Sequence, residues 1–299
     1  MASWWSKPSC PPSWPMPEAS MMTERPTFIH PLAHVVSGAQ LGQGVSVGPF
    51  CMVGADVTLG DGATLHSNVN VSGKTSIGAG TEVHAFASLG SPPQDLSYKG
   101  EDTETRIGEH CVIREGVTVN RGTPKTGLTS IGDRCFMMAY SHVAHDCRVG
   151  NNVIFANAAT LGGHVKVGDF VFLGGLCAVH QFTRIGEFAM VGGLTGVKDD
   201  VIPFGMAFGA NGVSGELIGL NVIGMKRRGF TRDDLRTVRA CYDMLFYGPG
   251  IFADRLEQAG TAYRDHPAAG RLISFIDAGE KRPVMMAAPK KTRVAGADD

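Results

Sequence analysis

Residues 131–197 read IGDRCF MMAYSH VAHDCR VGNNVI FANAAT LGGHVK VGDFVF LGGLCA VHQFTR IGEFAM VGGLTG V, and the grouping by six reflects the chain's own periodicity. Each group opens on a large apolar residue: Ile131, Met137, Val143, Val149, Phe155, Leu161, Val167, Leu173, Val179, Ile185, Val191 and then Val197. Four places later stands a small or β-branched one: Cys135, Ser141, Cys147, Val153, Ala159, Val165, Val171, Cys177, Thr183, Ala189 and Thr195. A period of six is neither the 3.6 of a helix nor the 2 of a long strand. It predicts a short strand followed by a turn, repeated, so that the chain winds into a parallel β-solenoid lined by the two columns.

The same register runs from Ile29 through Val35, Leu41, Val47, Val53, Leu59, Leu65, Val71, Ile77 and Val83 to Leu89, and again over Ile107, Ile113 and Val119. Polar, turn-rich insertions over 91–105 and 122–130 break it and are expected to leave the coil as loops, where binding residues tend to lie. After Val201 the register dissolves. Thr231-Arg232-Asp233-Asp234 resembles a capping box opening a helix that Gly248-Pro249-Gly250 ends, with further helices expected near 251–263 and 268–276. The expected organisation is therefore a leader without structure over 1–27, the solenoid over 28–213, a helical domain over 214–279 and a disordered tail over 280–299.

A net charge of −1 and 43% hydrophobic residues give no sign of a nucleic-acid or membrane-surface partner. Forty glycines suit many tight turns, and no apolar run approaches the roughly 20 residues that span a bilayer. Of the seven cysteines, Cys51, Cys111, Cys135, Cys147 and Cys177 fall in the small interior column, leaving Cys10 and Cys241 elsewhere. They read as small buried hydrophobes in a reducing cytoplasm instead of as a disulfide framework.

Four of the ten histidines, His142, His145, His164 and His180, fall within 39 residues. With three hexads per coil, residues 18 apart stack. His145, Gly163 and Gln181 then form one column, and Asp146, His164 and Phe182 its neighbour. A base with a pKa near neutral and an unobstructed backbone N–H suit acyl transfer, so His145 is the expected base and the Gly163 amide the expected oxyanion donor, with Gln181 and His164 positioning substrate. Two alternatives stay open: histidines at solvated turns, and a zinc site of His142, His145 and His164.

The hexads resemble the hexapeptide-repeat acyltransferases, which implies a left-handed parallel β-helix. Ala144-His145-Asp146-Cys147, Ala178-Val179-His180-Gln181-Phe182, and Asn221 followed by Lys226-Arg227-Arg228-Gly229-Phe230 narrow the resemblance to the UDP-N-acetylglucosamine acyltransferases of lipid A synthesis. That resemblance implies transfer of a 3-hydroxyacyl group from acyl carrier protein to the glucosamine 3-hydroxyl, with no cofactor beyond the carrier's phosphopantetheine, and a homotrimer with shared sites. It implies that Asp146 supports His145, that Gln94, Asp95, His142, His164, His180 and Gln181 line the substrate site, and that Asn221, Arg227 and Arg228 lie near the nucleotide. Where the family carries lysine after Gln-Asp-Leu this chain has Ser97, with Lys99 two residues on as the candidate replacement. Gly193 matches the family's acyl-length position. It follows His145 by 48 residues, roughly 13 Å of rise at about 4.8 Å per coil, which suggests a chain of about twelve to fourteen carbons. The related glucosamine N-acyltransferases carry a further domain before the solenoid, a reading that the roughly 28 residues preceding it here disfavour, and a coenzyme A acetyltransferase or a scaffold without activity are the remaining rivals.

Overall fold

Each hexad folds as a two- to four-residue strand and a turn, and the strands stack in three parallel sheets that form the faces of a triangular coil. The computed structural model describes residues 26–210, 214–279 and 281–289. Nearly all of the expected leader and the last ten residues lie outside that range. Among the described residues the first face has 11 strands and starts at Phe28–Ile29, the second has nine from His34–Val35, and the third has eight from Gln40–Leu41. Stacked partners are 18 apart, as in Phe28↔Ser46 and His142↔Thr160. Both interior columns are buried, from Val45 and Val47 to Thr195 and Val197.

Most turns place the fourth hexad residue in the left-handed region. From Arg134 to Leu194 every sixth residue has φ between +53° and +66°, including Asp146, His164 and Phe182. Such a conformation costs a non-glycine residue about 1–3 kcal/mol and persists only where the surroundings over-determine it. Here ladder hydrogen bonds hold both sides of every turn, for example His164 N–H to His145 O at 3.0 Å. At the corner between the third and first faces an Asx ladder adds to them, since Asn151 accepts from Asp133 N–H and Asp169 from Asn151 N–H.

The insertions are shorter than the sequence suggests. Glu104–Ile107 and Leu128–Ile131 are strands of the third face, with Thr105 and Thr129 fully buried in the small column, so the loops proper are 92–103 and 121–127. Partner spacings of 30 (Glu82↔Val112) and 24 (Val112↔Phe136) show that they add 12 and 6 residues to an 18-residue coil. Both leave the coil at one corner, where the second face turns into the third.

The solenoid ends in an antiparallel hairpin, Gly205–Ala210 with Ser214–Leu220, that extends the first face. Helical structure thus begins at 222 instead of 214, with a helix the hexad reading did not foresee: α1 (Val222–Arg227), then α2 (Arg232–Tyr247), α3 (Phe252–Tyr263) and α4 (Gly270–Asp277). The Thr231 capping box is present at the start of α2. Residues 281–289, expected to be disordered, are instead tied to the solenoid end. Asp200 pairs with Val284 and Leu217 with Ala287, and Met285 is buried. Pairing across 84 residues leaves no periodic trace in the tail itself. No described helix is long and apolar enough to cross a membrane.

One outer corner, between the first and second faces, is an apolar ridge. Leu32, Phe50, Phe86, Tyr140, Leu176 and Leu194 lie along it with exposures from 58% to 72%, interrupted by Asn68, Gly116 and Ala158.

Candidate active site

His145 and Asp146 occupy the middle of the turn between strands His142–Val143 and Arg148–Val149, at the corner from which both loops emerge. In a strand, neighbouring side chains would point apart. The left-handed φ of Asp146, 61°, brings them together instead, and Nδ1 of His145 lies 2.8 Å from Oδ2 of Asp146. The carboxylate accepting at Nδ1 leaves Nε2 as the lone-pair nitrogen, which is how a general base is oriented. What orients His145, unexplained by the strand pattern, is thus its own neighbour in sequence.

Asp146 is in turn fixed by the second loop. Its side chain is fully buried and accepts from Thr123 N–H (3.1 Å), Thr123 Oγ1 (2.7 Å) and Thr126 Oγ1, while its own N–H donates to Thr129 Oγ1 at 2.8 Å. Burial pushes the carboxyl up, but the hydrogen bonds from Thr126, Thr123 and His145 outweigh it and hold the group below its ordinary value. Three threonines spaced by three within 122–130 are the signal in the sequence for this role, although the segment reads there only as a loop of the kind that carries binding residues.

One coil further on, Gly163 lies against the imidazole. A Cβ there would sit 2.5 Å from Cε1 and 2.7 Å from Nε2 of His145. The Gly163 carbonyl accepts from Phe182 N–H, whereas its N–H makes no hydrogen bond among the described residues. His164 stands edge-on to His145, with centroids 5.2 Å apart, and stacks on Phe182 at 4.5 Å. Burial lowers its pKa despite nearby Asp146. Lys281 covers the far side of Phe182, 4.2 Å from the ring centroid.

The other expected residues divide. His142 donates or accepts at Thr118 Oγ1 (2.7 Å), and burial lowers its pKa. His180 and Gln181 meet the tail: Nη2 of Arg282 lies 2.6 Å from His180 Nδ1 and donates to Gln181 O at 3.1 Å. In the first loop, Gln94 is exposed, and Asp95 accepts from both the N–H and the hydroxyl of Ser97. Those bonds, with smaller contributions from His145 and Lys125, hold the Asp95 carboxyl below its ordinary value. Ser97 therefore shapes the loop, while Lys99 Nζ reaches only Leu96 O at 3.4 Å. Gly193 stacks on Gly175, but at the corner between the first and second faces. The path from His145 thus crosses the second face as well as climbing, so a length taken from the rise alone is a lower bound.

Asn221, Arg227 and Arg228 are not gathered with His145. Asn221 caps α1 and donates to Phe188 O, and Arg228 lies over Phe170, both at the corner between the third and first faces.

The groups that converge are also not the set of the alternative zinc reading. His145, Asp146 and His164 bring donor atoms within 4.8 Å of one another, but His142 is not among them. The four lone-pair positions of Asp146 are taken by Thr123, Thr126 and His145, so this cluster suits proton transfer better than metal ligation. A cleft of about 360 Å³ opens beside it, bordered by Thr126, Asp146, Arg148, His164, Lys166, Phe182, Arg184 and Lys281. A larger cleft, about 830 Å³, lies between the third face and the helices and does not include His145.

Comparison with known proteins shows what the chain is similar to. Residues 200–285 match the family described as UDP-N-acetylglucosamine O-acyltransferase, domain 2, and residues 128–163 match the bacterial transferase hexapeptide repeat. An acyl-[acyl-carrier-protein]–UDP-N-acetylglucosamine O-acyltransferase of Azorhizobium caulinodans is 55% identical over 256 residues, covering 85% of this chain and 93% of that protein. Its counterpart in Thermodesulfovibrio yellowstonii is 43% identical over 254 residues, covering 85% and 97%. Among solved structures, the Francisella novicida UDP-N-acetylglucosamine acyltransferase superposes with a TM-score of 0.84 at 31% identity, over 88% of this chain and 95% of that one. The Campylobacter jejuni enzyme does so at 0.81 and 34%, over 87% and 100%. At 55% and 43% identity over most of its own length and theirs, this chain belongs to the acyl-[acyl-carrier-protein]–UDP-N-acetylglucosamine O-acyltransferase family.

Proposed function

We propose that the chain transfers a 3-hydroxyacyl group from acyl carrier protein to the 3-hydroxyl of UDP-N-acetylglucosamine, the step that begins lipid A synthesis. The observation that carries this reading is the His145–Asp146 pair, with no hydrogen bond at Nε2 or at the Gly163 N–H one coil away among the described residues. Nε2 takes the hydroxyl proton as the oxygen attacks the thioester carbonyl, and Asp146 stabilises the resulting imidazolium. The tetrahedral oxyanion meets the Gly163 N–H. Collapse expels the phosphopantetheine thiolate, which takes the proton back from His145. Nothing in this sequence calls for a metal or a further cofactor. Arg148 and Lys166 border the cleft and suit the phosphates that both substrates carry.

Further assignments belong to the same reading. The match to the solved acyltransferases supports a left-handed coil. The Gly175–Gly193 column leaves a groove without side chains, which suits a long acyl chain of at least twelve carbons. The exposed apolar ridge supports a homotrimer, since a monomer gains nothing by presenting such a stripe to water. Asn221, Arg227 and Arg228, remote from His145 in one chain, would then reach it from a neighbour. Six described cysteines are buried free thiols, in keeping with the cytoplasm. In an assay with 3-hydroxyacyl carrier protein and UDP-N-acetylglucosamine, His145→Ala is expected to lower kcat about 10²–10⁴-fold. Retained turnover in that variant would remove the assignment of the base.

A further inference from the structure

A second pair of histidines stacks on the corner between the first and second faces, away from His145. His66 and His84 each follow an interior aliphatic residue, Leu65 and Val83, so they hold equivalent places on consecutive coils. Their rings lie 4.6 Å apart at 22°. Glu82 projects from the adjoining strand Glu82–Val83 and reaches both: Oε1 is 2.6 Å from Nε2 of His66 and 3.5 Å from Nε2 of His84. The three donor atoms lie within 4.8 Å of one another, carried by a rigid coil.

We propose that His66, Glu82 and His84 bind a divalent transition-metal ion of the zinc class. Two imidazoles and a carboxylate select such ions over magnesium or calcium, which prefer sites made wholly of oxygen. In a tetrahedral site with bonds of 2.0–2.1 Å, neighbouring donors stand about 3.3 Å apart. The Glu82–His84 pair already has that separation within 0.2 Å. The Glu82–His66 pair must open by about 0.7 Å, which their side chains, 41% and 44% exposed in the single chain on the corner that also carries the apolar ridge, have room to do. A second layer supports the first. Nδ1 of His84 faces Glu115 Oε1 at 3.6 Å, and Arg114 grips Glu115 through Nε and Nη2 at 3.1 and 2.9 Å. Shortened to a hydrogen bond when an ion binds, that contact would hold the tautomer that offers Nε2 to the metal, which makes Glu115 a positioning residue. Such an ion would clamp two successive coils in the half of the solenoid before the active site, separately from acyl transfer.

The test uses the full chain without a histidine tag, stripped with chelator and titrated calorimetrically with zinc sulfate, with magnesium chloride as the control. Saturable zinc binding and a raised melting temperature are expected, as for any ligand that binds only the folded state. Binding should be lost in His66→Ala and in His84→Ala and kept in His145→Ala. Glu115→Gln should weaken it about 10–100-fold, and acyltransferase turnover in His66→Ala should match the wild type. If His84→Ala fails to fold, Glu82→Gln, at an exposed side chain, carries the same expectation of lost binding. No saturable zinc binding, or binding that survives His66→Ala or disappears with His145→Ala, overturns the proposal.

Discussion

Gly163 has no side chain where a methyl group would strike the imidazole of His145, and that contact gives the glycine a role beyond its amide. Gly163→Ala is expected to push the ring off Asp146 and crowd the oxyanion position, lowering kcat about 10²–10³-fold. The corner lies outside the two interior columns, so the melting temperature should move little, and kinetics with thermal denaturation checks both. Asp146→Asn keeps the shape but replaces the carboxylate that receives Nδ1–H, and kcat should fall by a similar factor. The charge also sets a pH dependence. Because the folded pKa of Asp146 lies below its ordinary 3.8, its stabilisation is present above about that pH and is lost as pH falls through the folded value. Denaturant midpoints should therefore drop more steeply below pH 3.8 in the wild type than in Asp146→Asn. A parallel decline would show that the buried hydrogen bonds do not stabilise the ionised form.

The two loops act as elements on this pair, and Arg121 joins them. From the start of the second loop its Nη1 donates to Gly90 O at 2.9 Å and its Nε to Tyr98 Oη at 3.0 Å, within the first. Arg121→Ala should loosen 92–103, raising KM for the sugar nucleotide more than it lowers kcat, with faster amide exchange confined to that loop. Equal exchange in mutant and wild type would show that Arg121 is not the clamp. Much of this scale was legible before any coordinates. The aliphatic column from Ile29 to Val197 dictates the coil because burial of a short strand needs that residue in that place. Carrying the stack back from Val143 through Val119 to Leu89 would also have placed both loops at the His145 corner. The union of His145 with Asp146 was not legible, since strand alternation sets neighbours apart and only the left-handed turn residue reverses that. Nor was the order of 281–289, where Arg282 reaches His180, because its partners lie some hundred residues away.

At the scale of the whole molecule, the apolar ridge and the divided site make one argument. Leu176 and Leu194 expose their side chains beside the Gly175–Gly193 groove, while Arg228 lies over Phe170 at another corner from His145. A single chain therefore holds the proposed base and the arginine proposed to bind nucleotide on different edges, and the proposed cyclic trimer, with head-to-tail contacts, would bring the two edges together at each interface. His145→Ala and Arg228→Ala proteins should each be nearly inactive alone. When they are unfolded together in equal amounts and refolded, about one quarter of the interfaces in a cyclic trimer pair an intact His145 with an intact Arg228 from the next chain. Activity should recover toward about a quarter of the wild-type level. Refolding the Arg228→Ala protein with a His145→Ala protein that also carries Leu176→Glu and Leu194→Glu should abolish that recovery by keeping the subunits apart, as light scattering would register. If the mixture of the two single variants gains nothing over its parents, the site lies within one chain, and the separation of Arg228 from His145 must be bridged by substrate alone.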